Sequence, residues 1–168
     1  MYENLAYPIQ IRKATNDDIP PILQLVEMYK FNQDGSGFLL HLEECSISRL
    51  VNSGSFFVAY IGEHLAGNVS IAEYSGIAEL RSLAVHPKYQ SHGIGSRLIQ
   101  KCKEEASMRG YSELYAFTNP EAYSTFQKYD FNIIETPPEK LAEDCINCPL
   151  HNNGKCKEQA VVAFLNKL

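Results

Sequence analysis

The stretch Glu79-Leu-Arg-Ser-Leu-Ala-Val-His-Pro-Lys-Tyr-Gln90-Ser-His-Gly93-Ile-Gly95-Ser-Arg-Leu98 decides the fold of this chain. It reads as a strand, then a glycine-bearing loop, then the start of an amphipathic helix. Gly93 and Gly95 remove the side chains that would keep a ligand from the backbone. The helix start adds uncompensated N–H groups and the positive end of its dipole, and Lys88 and Arg97 add local positive charge. A phosphate-bearing ligand suits such a loop, although a bare Gly-x-Gly serves equally well as a tight strand-to-helix turn. The spacing is not the Gly-x-Gly-x-x-Gly of a dinucleotide fold, and no Gly-Lys-Ser/Thr follows as a nucleotide phosphate loop would require.

Working outward, Ile9 to Lys13 alternates as a first strand. Thr15 with Asp18 has the spacing of a capping box, and Pro20 and Pro21 fit a first helical turn. Ile19, Ile22, Leu23 and Val26 then recur at helical spacing. Leu39 to Val51 predicts a second helix with Leu42, Cys45 and Leu50 inward. Ser55 to Ile61, Leu65 to Tyr74 and Ala78 to Val85 are strands joined at Gly62-Glu63-His64 and Ser75-Gly76. The helix from Gly93 to Arg109 buries Ile94, Leu98, Ile99, Cys102 and Ala106 and ends at Gly110. A strand over Leu114 to Phe117, a short helix over Glu121 to Tyr129, and a strand over Phe131 to Glu135 follow. Pro137-Pro138 breaks the chain, residues 137–158 read as a cysteine-bearing loop, and Gln159 to Leu165 closes as a strand. The expected fold class is therefore α/β: one mixed β-sheet with helices on both faces, formed by residues 1–168 as a single domain.

Composition narrows the function. The net charge is −5 and no run of Lys or Arg exists, which argues against nucleic acid as the main partner. No apolar run approaches the roughly 20 residues of a membrane helix, and the N-terminus lacks the pattern of a signal peptide. Five cysteines, an odd number, fit a reducing compartment better than a disulfide framework, so a cytoplasmic location is expected. Open strand edges leave room for a homodimer.

Gln90-x-x-Gly93-x-Gly95 resembles the Gln/Arg-x-x-Gly-x-Gly/Ala signature of the GNAT family of N-acetyltransferases, and Ser82-Leu-Ala-Val-His-Pro87 resembles that family's strand leading into the loop. The resemblance covers residues 9–135 by element order and implies the GNAT acyl-CoA N-acyltransferase fold with acetyl-CoA as donor. It implies that Gln90, Ser91, His92, Gly93, Ile94, Gly95 and Ser96 hold the pyrophosphate. It further implies that Leu83, Ala84 and Val85 pair through their backbone with the pantetheine arm and supply the oxyanion N–H. Asn119-Pro-Glu-Ala122 matches the family's Asn-x-x-Ala, which puts Asn119 at the cofactor.

Acetyl transfer to an amine needs a base for the amine, a donor to the thioester oxygen, and help for the departing thiolate. Glu79, at the start of the strand that leads to the loop, is the candidate base; an ordinary strand glutamate is the alternative. Many relatives carry Tyr-x-x-x-Gly-Phe where this chain has Phe126-Gln-Lys-Tyr-Asp-Phe131. Phe126 has no proton to donate, so Tyr123, Tyr129 or Thr118 remains to serve the thiol. Phenylalanine there, with a hydroxyl residue at the preceding strand end, resembles the N-acetylglutamate synthases of the arginine pathway. Ala78 to Pro87, Gln10 to Ile19, and the tail Asp144-Cys145-Ile-Asn-Cys148-Pro with Cys156-Lys-Glu158 resemble their short form. Carried over, Glu79 falls on the base, Thr118 on the hydroxyl that assists the thiol, and Arg81 faces the acceptor carboxylate, which a guanidinium grips bidentately. The arginine-rich spot that those synthases carry before the second helix is absent here, and His41 is the cation in its place. The acceptor is thus expected to be a small amino acid, glutamate first, attacked directly in a ternary complex; Cys102 faces inward and Cys45 has no evident base. Another small amine or a peptide is the rival acceptor, and a non-catalytic acyl-CoA-binding sensor is the rival class.

Cys145-x-x-Cys148-x-x-His151-x-x-x-x-Cys156 has the residue types of a zinc set, but its second half is irregular. Reduced cysteines in a loop are the plainer expectation, with no metal. A thioredoxin-like role fits poorly, because Pro149 follows the pair and no helical pattern develops.

Overall fold

The computed structural model describes residues 7–30, 39, 42–146, 148, 154 and 156–166. Among them, seven strands form one sheet in the order β1-β2-β3-β4-β5-β7-β6. They are β1 (Ile9–Lys13), β2 (Phe56–Ile61), β3 (His64–Tyr74), β4 (Ile77–Val85), β5 (Glu113–Thr118), β6 (Asn132–Ile133) and β7 (Gln159–Phe164). The helices are α1 (Ile19–Glu27), α2 (Glu44–Asn52), α3 (Ile94–Met108), α4 (Tyr123–Gln127) and α5 (Glu139–Ile146). The pairings between these strands are antiparallel except β4 with β5. The sheet is mixed, as its order of elements predicts.

Alternation within the strands sends side chains to two cores. Phe56 and Val58 pack with Ile19, Ile22, Val26, Ile47 and Val51 from α1 and α2. Phe57, Ala59 and Ile61 join Leu98, Ile99, Cys102 and Ala106 of α3 on the opposite face. Each fully buried Leu, Ile or Phe in these layers contributes about 1.5–3 kcal/mol of transfer free energy. Gly67 lets α3 approach closely: a Cβ there would stand 2.9 Å from the Ala84 carbonyl and 3.1 Å from Leu98.

Two features of β4 shape the centre of the molecule. Its pairing with β3 runs from Ile77 to Arg81, slips, and resumes with Ala84 opposite Asn68. Two residues, Ser82 and Leu83, thus oppose the single Val69, which makes a bulge. Ser82 sits at φ +55. The slip changes parity: Ala78 and Leu80 face the α3 layer before it, Leu83 and Val85 after it. The fully buried Asn68 donates from Nδ2 to the Ser82 carbonyl at 2.7 Å and braces the bulge. The second feature is the brief parallel pairing of β4 with β5, confined to Ala78–Leu80 against Leu114–Ala116. Beyond it the two strands part.

The turns obey their sequence. Ser75 and Gly76 both have positive φ, as a two-residue hairpin turn of the primed type demands. Asp130 occupies the left-handed region at φ +64, which explains how it stands where relatives carry glycine.

Three expectations need correction. The helix predicted from Leu39 starts at Glu44; Leu42 and Leu50 pack half-buried against the core beside the buried Ile47 and Val51, but Cys45 is exposed. Cys45 stands two residues before Ile47, about 200° around the helix, and so faces solvent. The strand expected over Phe131 to Glu135 is reduced to Asn132–Ile133. The segment after Pro137-Pro138 is not all loop: α5 begins there, with Leu141 buried and its N–H donating to the Pro138 carbonyl at 2.9 Å. The prolines stand just ahead of the helix, where a missing N–H has no intrahelical partner to lose.

Asp18 ties the N-terminal strand and helix to the sheet. Its buried carboxylate accepts two bonds from Arg12 (2.7 and 2.9 Å), one from the Thr15 N–H (2.7 Å) and one from the Tyr60 hydroxyl (2.8 Å). Burial alone would push its pKa up, but the hydrogen bonds from Arg12, Thr15 and Tyr60 hold it well below the usual carboxylate range. A depressed folded pKa makes the stabilisation complete above the unfolded value near ~4 and loses it as pH falls toward the folded one. Asp18→Asn is therefore expected to cost about 2 kcal/mol at pH 7 in urea denaturation. That gap should narrow steadily below pH ~4.

Candidate active site

The parting of β4 from β5 opens a cavity of about 160 Å³. Glu79, Arg81, Ser82 and Leu83 line it from β4, Phe117 and Thr118 from β5, and Asn119, Ala122 and Phe126 from the turn into α4 and α4 itself. Leu42, Cys145, Cys148, Cys156 and Glu158 also line it. Glu79 is 5% exposed, and its Oε2 lies 3.9 Å from Arg81 Nε. The Arg81 guanidinium also donates to the Tyr74 hydroxyl. Thr118 is buried at the end of β5, its hydroxyl donating to the Asn119 carbonyl at 3.1 Å. Asn119 Oδ1 accepts the Ala122 N–H at 2.8 Å and so holds the turn into α4.

The residues named from sequence thus meet in part. Glu79, Arg81, Leu83, Thr118 and Asn119 share one cavity. Phe126 is on its wall, buried edge-to-face against Phe131. Tyr123 is not on that wall; it and Tyr129 pack half-buried against the α3-side core. His41 and His151 lie outside the described residues. Cys145, Cys148 and Cys156 reach the cavity from α5 and the segment before β7, a placement their spacing does not announce. Cys145 lies in the last turn of α5, so the Cys-x-x-Cys closes a helix rather than opening one. Among the described residues no three His, Cys, Asp or Glu side chains are grouped to hold a metal ion. Burial pushes the Glu158 carboxyl up to about 7. Burial also pushes the Cys102 thiol far above its ordinary value, which leaves it inert.

At the other end of the open strand lies the glycine loop. Pro87–Tyr89 forms a 3₁₀ turn, Gln90 is extended, and Ser91 and Gly93 both take positive φ before α3 begins at Ile94. His92 Nδ1 is 2.8 Å from the Gln90 carbonyl inside this turn. The Ile94 side chain is core, so only its backbone is available to a ligand. A Cβ on Gly95 would touch only Val85, at an ordinary 3.7 Å. The protein's own packing therefore leaves room for a side chain at 95, whereas the φ of +76 at Gly93 favours glycine there. Sequence reading missed the residue that anchors the loop. Tyr29, just after α1, donates to the Val85 carbonyl at 2.6 Å and accepts from Gln90 Nε2 at 2.8 Å. No local signal marks it, since its partners are 56 and 61 residues away.

A strand left open along one edge that runs into a glycine loop and a helix start suits an extended ligand with a phosphate at one end. Residues 52–133 match the acetyltransferase (GNAT) domain. An uncharacterized N-acetyltransferase of Chlorobaculum tepidum is 31% identical over 158 residues, 92% of this chain and 96% of that protein. The chain belongs to the GNAT family of acetyltransferases; it is an N-acetyltransferase with acetyl-CoA as donor. Among solved structures, N-acetylglutamate synthase from Neisseria gonorrhoeae, complexed with coenzyme A and N-acetyl-glutamate, superposes with a TM-score of 0.77 at 24% identity. That match covers 95% of this chain but only 35% of the synthase. A Mycobacterium tuberculosis protein in complex with CoA also gives 0.77 at 20% identity, covering 94% of this chain and 99% of the other. At these identities the likeness establishes the shared fold.

Gly95→Glu separates ligand binding from folding. Glutamate in the first turn of α3 suits the helix dipole, and a Cβ there is unobstructed. Thermal stability is expected to hold or rise, while calorimetric affinity for CoA falls at least about tenfold through charge repulsion. Unchanged CoA affinity would remove this loop as the phosphate site.

Proposed function

We propose that this enzyme transfers the acetyl group of acetyl-CoA to the α-amino group of a small amino acid, glutamate first, by direct attack in a ternary complex. The observation that carries the reading is the convergence of Glu79, Arg81 and Thr118 on the cavity where β4 leaves β5. In this reading the loop from Gln90 to Ser96 holds the pyrophosphate, and the pantetheine arm lies along the open edge of Leu83, Ala84 and Val85. Arg81 grips the acceptor's α-carboxylate with a planar fork. Glu79 takes the proton as the amine nitrogen bonds to the carbonyl carbon. A β4 backbone N–H between Leu83 and Val85 meets the developing oxyanion. The C–S bond then breaks, and the Thr118 hydroxyl hydrogen-bonds the departing thiolate, since Phe126 supplies no proton.

The inert Cys102 supports direct attack over an acetyl-cysteine on that residue. The likeness to N-acetylglutamate synthase supports glutamate as acceptor, and in this reading the reaction belongs to arginine biosynthesis in the cytoplasm. Residues 1–168 act as one catalytic unit in this reading. The convergence of a carboxylate and a guanidinium in one buried space favours an amino acid over a polyamine, which an acidic pocket would suit better.

A screen of the amino acids and of simple amines with acetyl-CoA, read by thiol release, tests the acceptor. Glutamate should lead, and turnover of none would return the protein to a CoA-binding sensor. Glu79→Gln is expected to lower kcat about 100-fold while the dissociation constant for acetyl-CoA stays within about twofold. An unchanged kcat would dismiss Glu79 as the base.

A further inference from the structure

A second cleft, of about 630 Å³, opens beside the catalytic cavity between α2 and strands β3 and β4. The two share Leu42, Arg81 and Ser82. Hydroxyls furnish much of its lining: Ser46, Ser53, Ser55, Ser70, Ser82 and Tyr74. Its charged groups are Arg49, Glu73 and Arg81. Glu73 is engaged by Arg109 at 3.1 Å and by the Tyr111 hydroxyl at 2.7 Å. Arg81 is engaged by Glu79 and Tyr74 at the boundary with the catalytic cavity. Arg49, on the last turn of α2, is exposed and enters none of the ion pairs found among the described residues. With Glu73 matched by Arg109, the cleft presents an excess of positive charge beside its hydroxyls, of which Ser53 and Ser70 already donate to the Leu50 and Arg81 carbonyls. Such a lining suits a carboxylate carried on a short chain.

We propose that this cleft is the acceptor's side-chain subsite and that Arg49 selects a second carboxylate. This rests on the reading above, in which Arg81 holds the α-carboxylate at the boundary between the two spaces. An acceptor held there points its amine toward Glu79 and its side chain along β3 toward α2. The acceptor class is then an acidic amino acid. The selecting cation comes from the far end of α2 rather than from the segment that precedes it.

The test compares acceptors that differ only in the distal group, glutamate against glutamine, with wild type and Arg49→Gln. In the variant the ratio of kcat/KM for glutamate to that for glutamine should fall about tenfold or more, chiefly through KM for glutamate. Arg49→Glu should reverse the preference toward amino acids with a cationic side chain. An unchanged glutamate-to-glutamine ratio, in variants whose melting temperature matches wild type, would overturn the subsite while leaving the acetyltransferase reading intact. If neither acceptor is turned over, calorimetry of glutarate against the CoA-saturated protein decides. Binding that Arg49→Gln abolishes supports the subsite, and no binding to wild type overturns it.

Discussion

Asn68 holding the Ser82 carbonyl is the interaction on which the working parts of this molecule depend. The bulge it braces inserts one extra residue into β4, and one extra residue exchanges the two faces of a strand. Before the bulge, Glu79 and Arg81 point away from α3, toward the α1 and α2 side. After it, Leu83 and Val85 turn to the α3 side, so that β4 can run into a loop that α3 closes. Without the parity change, a single strand would not present a buried carboxylate to one layer and then anchor its end in the other. Gly67, on the same stretch of β3, lets α3 press against this point.

The second consequence is the early parting of β4 from β5. Three residue pairs hold them together, and then each strand continues with a partner on its other side only. A parallel pair that ends early leaves backbone donors and acceptors exposed in the middle of a sheet, a state folded proteins avoid unless something pairs with them. In the proposed mode of binding, the extended arm of acyl-CoA is such a partner. The same gap brings Thr118 and Phe126 opposite Glu79. Phe126 occupies the wall where relatives place a tyrosine, and its edge-to-face contact with Phe131 shows a position given over to packing. In the proposed mechanism the hydroxyl beside the thiol is that of Thr118.

The cysteine segment illustrates a limit of pattern reading. Two adjacent prolines resemble a break, yet α5 follows them directly. Its last turn delivers Cys145 to the cavity, and the chain then brings Cys148, Cys156 and Glu158 to the same wall. The spacing of these residues says only that they are near one another in the chain. Where they point depends on Leu141 docking into the core and on β7 adding beside β5.

Much of this protein is legible in its amino-acid sequence. Alternation marks the strands, Ser75-Gly76 and Gly62-Glu63 mark the hairpins, and Gln90 to Gly95 marks the glycine loop ahead of α3, because each depends on residues close in sequence. The position of Glu79 in a strand leading to that loop is legible for the same reason. Only the tertiary structure decided that the β4 strand carries a bulge, that Tyr29 anchors the loop from 56 residues away, and that Arg49 shares a cleft with Arg81. It also decided that Cys45 faces outward and that Tyr123 stands off the cavity wall. Backbone periodicity and turn chemistry are local and are written in the chain. Register between strands, the parting of a parallel pair and the convergence of charges arise from packing between distant segments, which no single window of sequence contains.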